Sequence, residues 1–111
     1  MEPILVCNTT IISAVSMGGD VASSVYNISE ISNYAVQFTW SAGSTPIGTI
    51  NVLISNDGTN FALIGTAVAV SGNTGTLVIK DTMAGYVYIK AIYTRSSGSG
   101  TLTATIAGKR N

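Results

Sequence analysis

"NYAVQFTWS", residues 33–41, alternates without a break: Tyr34, Val36, Phe38 and Trp40 carry apolar bulk, and Ala35, Gln37, Thr39 and Ser41 fall between them. Successive side chains of a strand point to opposite sides, so this stretch has one aromatic face to bury and one small, polar face. "TLTATIA" (101–107) follows the same logic, with Leu102, Ala104 and Ile106 alternating with three threonines, which predicts a wet outer face. Between these two lie "GTINVLIS", "FALIGTAVAV", "GTLVIKD" and "GYVYIKAIYT", each bounded by Gly, Asn, Asp or Ser. Upstream, "PILVC" and "SSVYNIS" read as strands, and "IISAVSMGGD" reads equally as strand or loop. About eight strands and no helical periodicity predict an all-β fold: an antiparallel two-sheet β-sandwich, jelly-roll-like. At 111 residues the expectation is one domain, 1–111, whose N-terminal segment 1–32 is the less regular part.

In "INVLISNDGTNFALIG" (50–65), an alternating strand runs up to Asn56-Asp57-Gly58, and a second apolar run starts at Phe61. Asp-Gly between two such runs is a strong hairpin signal, because Gly accepts positive φ and Asp tolerates it. Ser55, Asn56, Asp57 and Gly58 are therefore expected to form a structural turn. A calcium loop would need six to eight converging oxygens, commonly from several carboxylates. Asp57 is the one charge in this stretch, and Asp20 and Asp81 are far away in sequence, so no metal is expected.

Charged residues are 9% of the chain, against about 25% in an ordinary soluble domain, and the formal net charge is zero. Gly, Ser, Thr and Asn supply 47 of the 111 residues. A surface of neutral hydrogen-bonding groups has little net repulsion to oppose self-association. There is no basic stripe for nucleic acid or an anionic membrane. No apolar run approaches the ~20 residues of a membrane-spanning helix, so neither nucleic acid nor membrane insertion is expected. The beginning "MEPILVCNTT" does not read as a secretory signal, and without one the sequons at Asn8 and Asn27 are expected to be coincidental.

Catalysis finds few candidates. The sequence has no His, which removes Ser-His-Asp and Cys-His nucleophile systems and the commonest zinc ligand. Its one cysteine, Cys7, excludes an intrachain disulfide and a thiolate cage, and beside Val6 it reads as a small buried hydrophobe. Glu2, Asp20, Glu30, Asp57 and Asp81 are scattered, so a paired-carboxylate site has no local support. "SSGSG" (96–100) lacks the Lys-Ser/Thr of a phosphate loop and reads as a turn between strands. No enzyme and no cofactor are expected.

The hairpin Ser55-Asn56-Asp57-Gly58-Thr59-Asn60-Phe61 resembles one found in jelly-roll and discoidin-like β-sandwich modules. Phe61 stands where Trp is commoner, which weakens a sugar-stacking role. Together with the Trp40 strand and "YVYIKAIYTRSSGSGTLTATIAGK", read through Tyr88, Ile89, Ser97, Gly98, Gly100 and Leu102, it is similar to small β-sandwich virion proteins of bacteriophages. The resemblance covers about residues 33–109. It implies a non-enzymatic capsid, decoration, spike or tail-associated protein, made in the host cytoplasm and residing in the virion. Its implied partners are itself, as a homotrimer or larger assembly, and other virion proteins. The alternative is a carbohydrate-binding or receptor-binding module.

These readings ask different things of the surface. "YVYIKAIYT" has bulk on both faces, with Val87, Ile89, Ala91 and Tyr93 on one and Tyr86, Tyr88 and Ile92 on the other. The second face, Tyr86, Tyr88 and Ile92, is the candidate oligomer interface. A sugar site would need exposed aromatics such as Trp40 or Tyr26, yet Trp40 shares a face with Val36 and Phe38 and is expected in the core. A receptor-binding tip would use loops such as "SAGSTP" (41–46) and "VSGNTG" (70–75). The basic residues fall in the C-terminal third and four of five acids before residue 60, as expected of solvated strand ends.

Overall fold

The computed structural model describes residues 4–64, 67–81 and 86–110. Pro3, Gly65, Thr66 and Gly85, included in the strand readings above, and the acid Glu2 lie outside them. Among the described residues there are eight strands and no helix: β1 (Ile4–Ser16), β2 (Val21–Ala22), β3 (Tyr26–Asn27), β4 (Asn33–Ser55), β5 (Ala62–Leu63), β6 (Val68–Val70), β7 (Gly75–Asp81) and β8 (Tyr88–Arg110). Every pairing is antiparallel.

Two 23-residue strands, β4 and β8, organise the rest. They pair from Asn33↔Lys109 at one end to Ser55↔Tyr88 at the other. Over the first half the order is β1-β8-β4-β7; over the second, β2 and β3 flank β8 while β5 and β6 flank β4. The first half turns Tyr34, Val36, Phe38, Trp40, Leu102, Ala104 and Ile106 inward, the second Ile50, Val52, Ile89, Ala91 and Tyr93, and all belong to one buried cluster. One strongly curled sheet thus supplies both layers of a sandwich. Each large side chain buried there contributes about 1.5–3 kcal/mol.

The curl is made where the ladder between β4 and β8 is irregular. Its register shifts between Ser41 and Ser44, between Ser44 and Ile47, and between Ile47 and Gly48. Extra residues in one strand bend it and increase its twist. Thr45 has φ 48° and Gly98, across the ladder, φ 75°. A Cβ on Gly98 would collide with the Thr45 carbonyl oxygen, so the two backbones cross at a separation that glycine alone allows. Asn73 holds the bend from outside: its side-chain oxygen accepts from Thr45 N (2.9 Å) and its carbonyl from Gly43 N (3.1 Å). Beside it the Trp40 indole N–H donates to Gly72 O (3.3 Å), and the Tyr93 hydroxyl donates to Ile47 O (3.2 Å).

Several local expectations are corrected here. "SSGSG" is a bend inside β8, not a turn between strands. "SAGSTP" is likewise internal to β4 and not a loop, whereas "VSGNTG" does contain an exposed loop, the connection from β6 to β7, which Asn73 ties to β4. The N-terminal segment contains a 13-residue strand, β1, and "IISAVS" is part of it. Bulges between Leu5 and Cys7, Thr10 and Ile12, and Ile12 and Val15 shift its parity, which hid the strand from an alternation reading. Cys7 packs against the core but is half-buried.

Substitution of Gly98 by Ala combines left-handed strain with a backbone collision, and should destabilise by at least ~2 kcal/mol. Gly19→Ala, where nothing lies within 4 Å of the new Cβ, is the control. Urea unfolding should show a clear drop in midpoint for Gly98→Ala alone; equal midpoints for the two variants would contradict the crossing geometry.

Candidate functional site

The outer face of the sheet's second half is where the sequence-derived candidates meet. Register places Lys90 beside Leu53 and Leu53 beside Leu63, Ile92 between Ala22 and Asn51, and Tyr88 between Asn27 and Ser55. Residues paired across a ladder share a face. Tyr88 and Ile92 therefore lie outward, with Leu53 and Leu63. Leu63 is 53% exposed, and the other three are half-buried. Lys90 Nζ sits 4.5 Å from the Phe61 ring centroid, a cation–π contact worth about 0.5–1 kcal/mol at an exposed site.

Tyr86 departs from this face. It precedes the first residue of β8, so strand parity does not govern it, and it packs against the core. Leu53 and Leu63 were missed by the sequence reading, and Phe61 was considered there only as the aromatic of the hairpin. Leu53 was detectable as the apolar residue at an outward position of "INVLIS".

The hairpin adjoins this face. β4 ends at Ser55, and β5 returns with Ile54↔Ala62 and Leu53↔Leu63. The Asp57 carboxylate organises the connection. Its Oδ1 accepts from Ser55 Oγ (2.9 Å), Thr59 N (2.9 Å) and Asn60 N (2.8 Å), and its Oδ2 from Asn60 Nδ2 (2.8 Å). Ser55 Oγ in turn accepts from Asp57 N (3.2 Å) and Gly58 N (3.0 Å). Gly58 has φ 78°, and a Cβ there would lie 3.3 Å from the Tyr88 ring. Asn56 Oδ1 accepts from Val87 N (3.2 Å), which fastens the turn to the entrance of β8. Ser55, Asn56, Asp57 and Gly58 form a corner whose carboxylate and hydroxyl bonds stay within residues 55–60, while Val87 N ties it to the entrance of β8. Among the described residues no group of three or more His, Cys, Asp or Glu is placed to hold a metal.

The first half presents a different surface. A shallow groove of about 430 Å³ crosses its outer face, lined by Asn8, Ala35, Gln37, Val78, Thr105 and Ala107. It contains amides, a hydroxyl and methyl groups, with no charge and no aromatic ring. The aromatics considered for sugar stacking are elsewhere. Trp40 is buried, and Tyr26 is half-buried against the core. A hydrogen bond with the Cys7 thiol, followed by burial, raises the Tyr26 pKa.

No family model matches the chain, and no curated protein sequence matches it. Among solved structures, it is similar to the SPBc2 prophage-derived protein YomS, with a TM-score of 0.61 and 14% identity over 97% of this chain and 96% of that one. It is also similar to a chain of infectious bursal disease virus, Gt strain, with a TM-score of 0.64 and 10% identity. That match covers 97% of this chain but 32% of the viral one, so the present chain spans about a third of its length. A third similarity, TM-score 0.52 and 13% identity over 82% of this chain and 61% of the other, is to a structure described as "CBM4 structure and function". At these identities the likeness is one of fold: a small β-sandwich shared by prophage-derived, viral and carbohydrate-binding-module chains.

Backbone N–H groups of Asn60 and Thr59, then the side chains of Asn60 and Ser55, hold the Asp57 carboxyl far below the usual carboxylate range. A carboxylate whose folded pKa is depressed stabilises the fold above its unfolded value, about 3.9, and loses that contribution as pH falls towards the folded pKa. Asp57→Asn should therefore melt below wild type by a constant margin above about pH 5, and the margin should narrow steadily below about pH 4. A margin independent of pH, read by thermal melts from pH 7 to 2.5, would contradict the role given to the charge.

Proposed function

We propose that this chain is a bacteriophage virion structural protein, a capsid, decoration, spike or tail-associated subunit that acts by self-assembly and not by catalysis. The observation that carries the reading is the outer face on which Tyr88, Ile92, Leu53 and Leu63 gather around Lys90, on a chain with zero net charge. Exposed apolar patches rimmed by polar groups mark interaction sites, and weak net repulsion leaves copies free to associate. The fold shared with a prophage-derived protein and a viral chain supports the same reading. Identical subunits that set one part of this face against a different part of the next copy make a heterologous contact, which closes into a symmetric ring, here a trimer or larger. Assembly would take place in the host cytoplasm, with other virion proteins as further partners.

The absence of His from the sequence and the commitment of the Asp57 carboxylate to its own turn support a non-catalytic role. A second reading, carbohydrate or receptor binding, draws on the neutral groove of Asn8, Gln37 and Thr105 and on the likeness to the carbohydrate-binding-module chain. It ranks below assembly because the groove has no aromatic platform, and stacking on aromatic rings is a common means of holding a sugar.

Light scattering coupled to size exclusion at about 1 mg/mL should give a trimer or larger species. Leu63→Glu, which puts a carboxylate at the most exposed apolar residue of the face, should reduce that mass while leaving a β-type circular dichroism spectrum. A wild-type monomer that binds an immobilised glycan and does not co-sediment with phage particles would favour the second reading instead.

A further inference from the structure

We propose that the free edge of β1, over Ile4–Thr10, is a second self-association surface, pairing antiparallel with the same edge of another copy across a two-fold axis. The proposal rests on the assembly reading above and adds a contact distinct from the apolar face. β1 is hydrogen-bonded along one side to β8, and no described strand pairs with its other side. Such an edge presents unpaired N–H and C=O groups, which native edge strands protect with lysines, prolines or bulges.

The C-terminal part of β1 is protected in that way, with two bulges between Thr10 and Val15 and a left-handed Ala14. The N-terminal part has one irregularity, at Leu5/Cys7, and runs without a break from Cys7 to Thr10. Ile4 and Leu5 are each 56% exposed and Val6 39%. Because neighbouring strand residues face opposite ways, this end of the sheet offers apolar surface on both faces.

Charge selects the partner. No charged residue lies between Glu2 and Asp20, so two β1 edges can come together without setting like charges against each other. The opposite edge of this half, β7, has an exposed Lys80, and pairing that strand with its own copy brings two lysines to one seam. Strand addition draws its affinity from main-chain hydrogen bonds, and a two-fold axis makes such an edge its own complement. A dimer through β1 would join sheets into a continuous layer and leave the Tyr88–Ile92 face of each copy open for the other contact.

Leu5→Glu tests the edge. Leu5 lies opposite Lys109, so the new carboxylate has a favourable neighbour within the monomer, while the edge becomes charged. Light scattering should show Leu63→Glu as a dimer and the double variant Leu5→Glu/Leu63→Glu as a monomer, with at least a tenfold weaker dimer constant. If Leu5→Glu changes the mass in neither background, the edge proposal fails even where Leu63→Glu dissociates the oligomer. Equal masses for wild type and Leu63→Glu sink the face reading instead, and the edge is still decided by Leu5→Glu. To guard against a folding defect, the native Cys7, midway along Ile4–Thr10, and single cysteines at Leu5, Asn8 and Thr10 in a Cys7→Ser background provide a second readout. Mild oxidation should cross-link the position nearest the two-fold into a covalent dimer, and cross-linking at none of them overturns the pairing.

Discussion

Everything in this fold depends on two strands that stay paired while they turn a corner. β4 and β8 run side by side from Asn33↔Lys109 to Ser55↔Tyr88, and the other six strands attach to one or other half of that ribbon. A flat ribbon of this length would leave its apolar side in water. Bending at Ser41–Gly48 and opposite it at Gly98 brings Phe38 and Leu102 into the same core as Val52 and Ala91. The bend requires a Thr45 of positive φ, a Gly98 with no Cβ, and Asn73 bonded to both Gly43 and Thr45. Backbone strain of about 1–3 kcal/mol at a residue like Thr45 persists when surrounding bonds over-determine it.

The same corner explains what the sequence concealed. Alternation in Tyr34–Trp40 and in Thr101–Ala107 was legible because each stretch is a regular run with one wholly buried face. Continuity was not. "SAGSTP" and "SSGSG" have turn composition, and composition cannot distinguish a chain that reverses from one that bends and keeps its partner. β1 was obscured for a related reason: three bulges break a period of two into pieces too short to read. The Asp57 turn was readable because its signal is local, with donors and acceptor within six residues of one another.

The candidate surfaces were legible in part. Tyr88 and Ile92 have outward parity in a strand with bulk on both sides, and the structure adds Leu53 and Leu63 by register, which no single-strand pattern can supply. Tyr86 was misplaced because strand parity was extended past the end of β8. The groove of Asn8, Gln37 and Thr105 draws residues from β1, β4 and β8 and has no sequence signature at all. Architecture and surface share one origin: a curled sheet buries one face and must leave the other outward, and in this weakly charged chain that face is mainly polar over one half, with Lys80 beside Ala35, and mainly apolar around Lys90 over the other.

Native-state hydrogen exchange is the most direct test of the ribbon's role. If the two halves are one unit joined through the bend, amides of Val36–Trp40, Ile50–Val52, Ile89–Tyr93 and Leu102–Ile106 should exchange through a single opening with one shared free energy and one denaturant dependence. Two opening free energies, one for each half of the sheet, would show that the halves fold independently and would contradict the account.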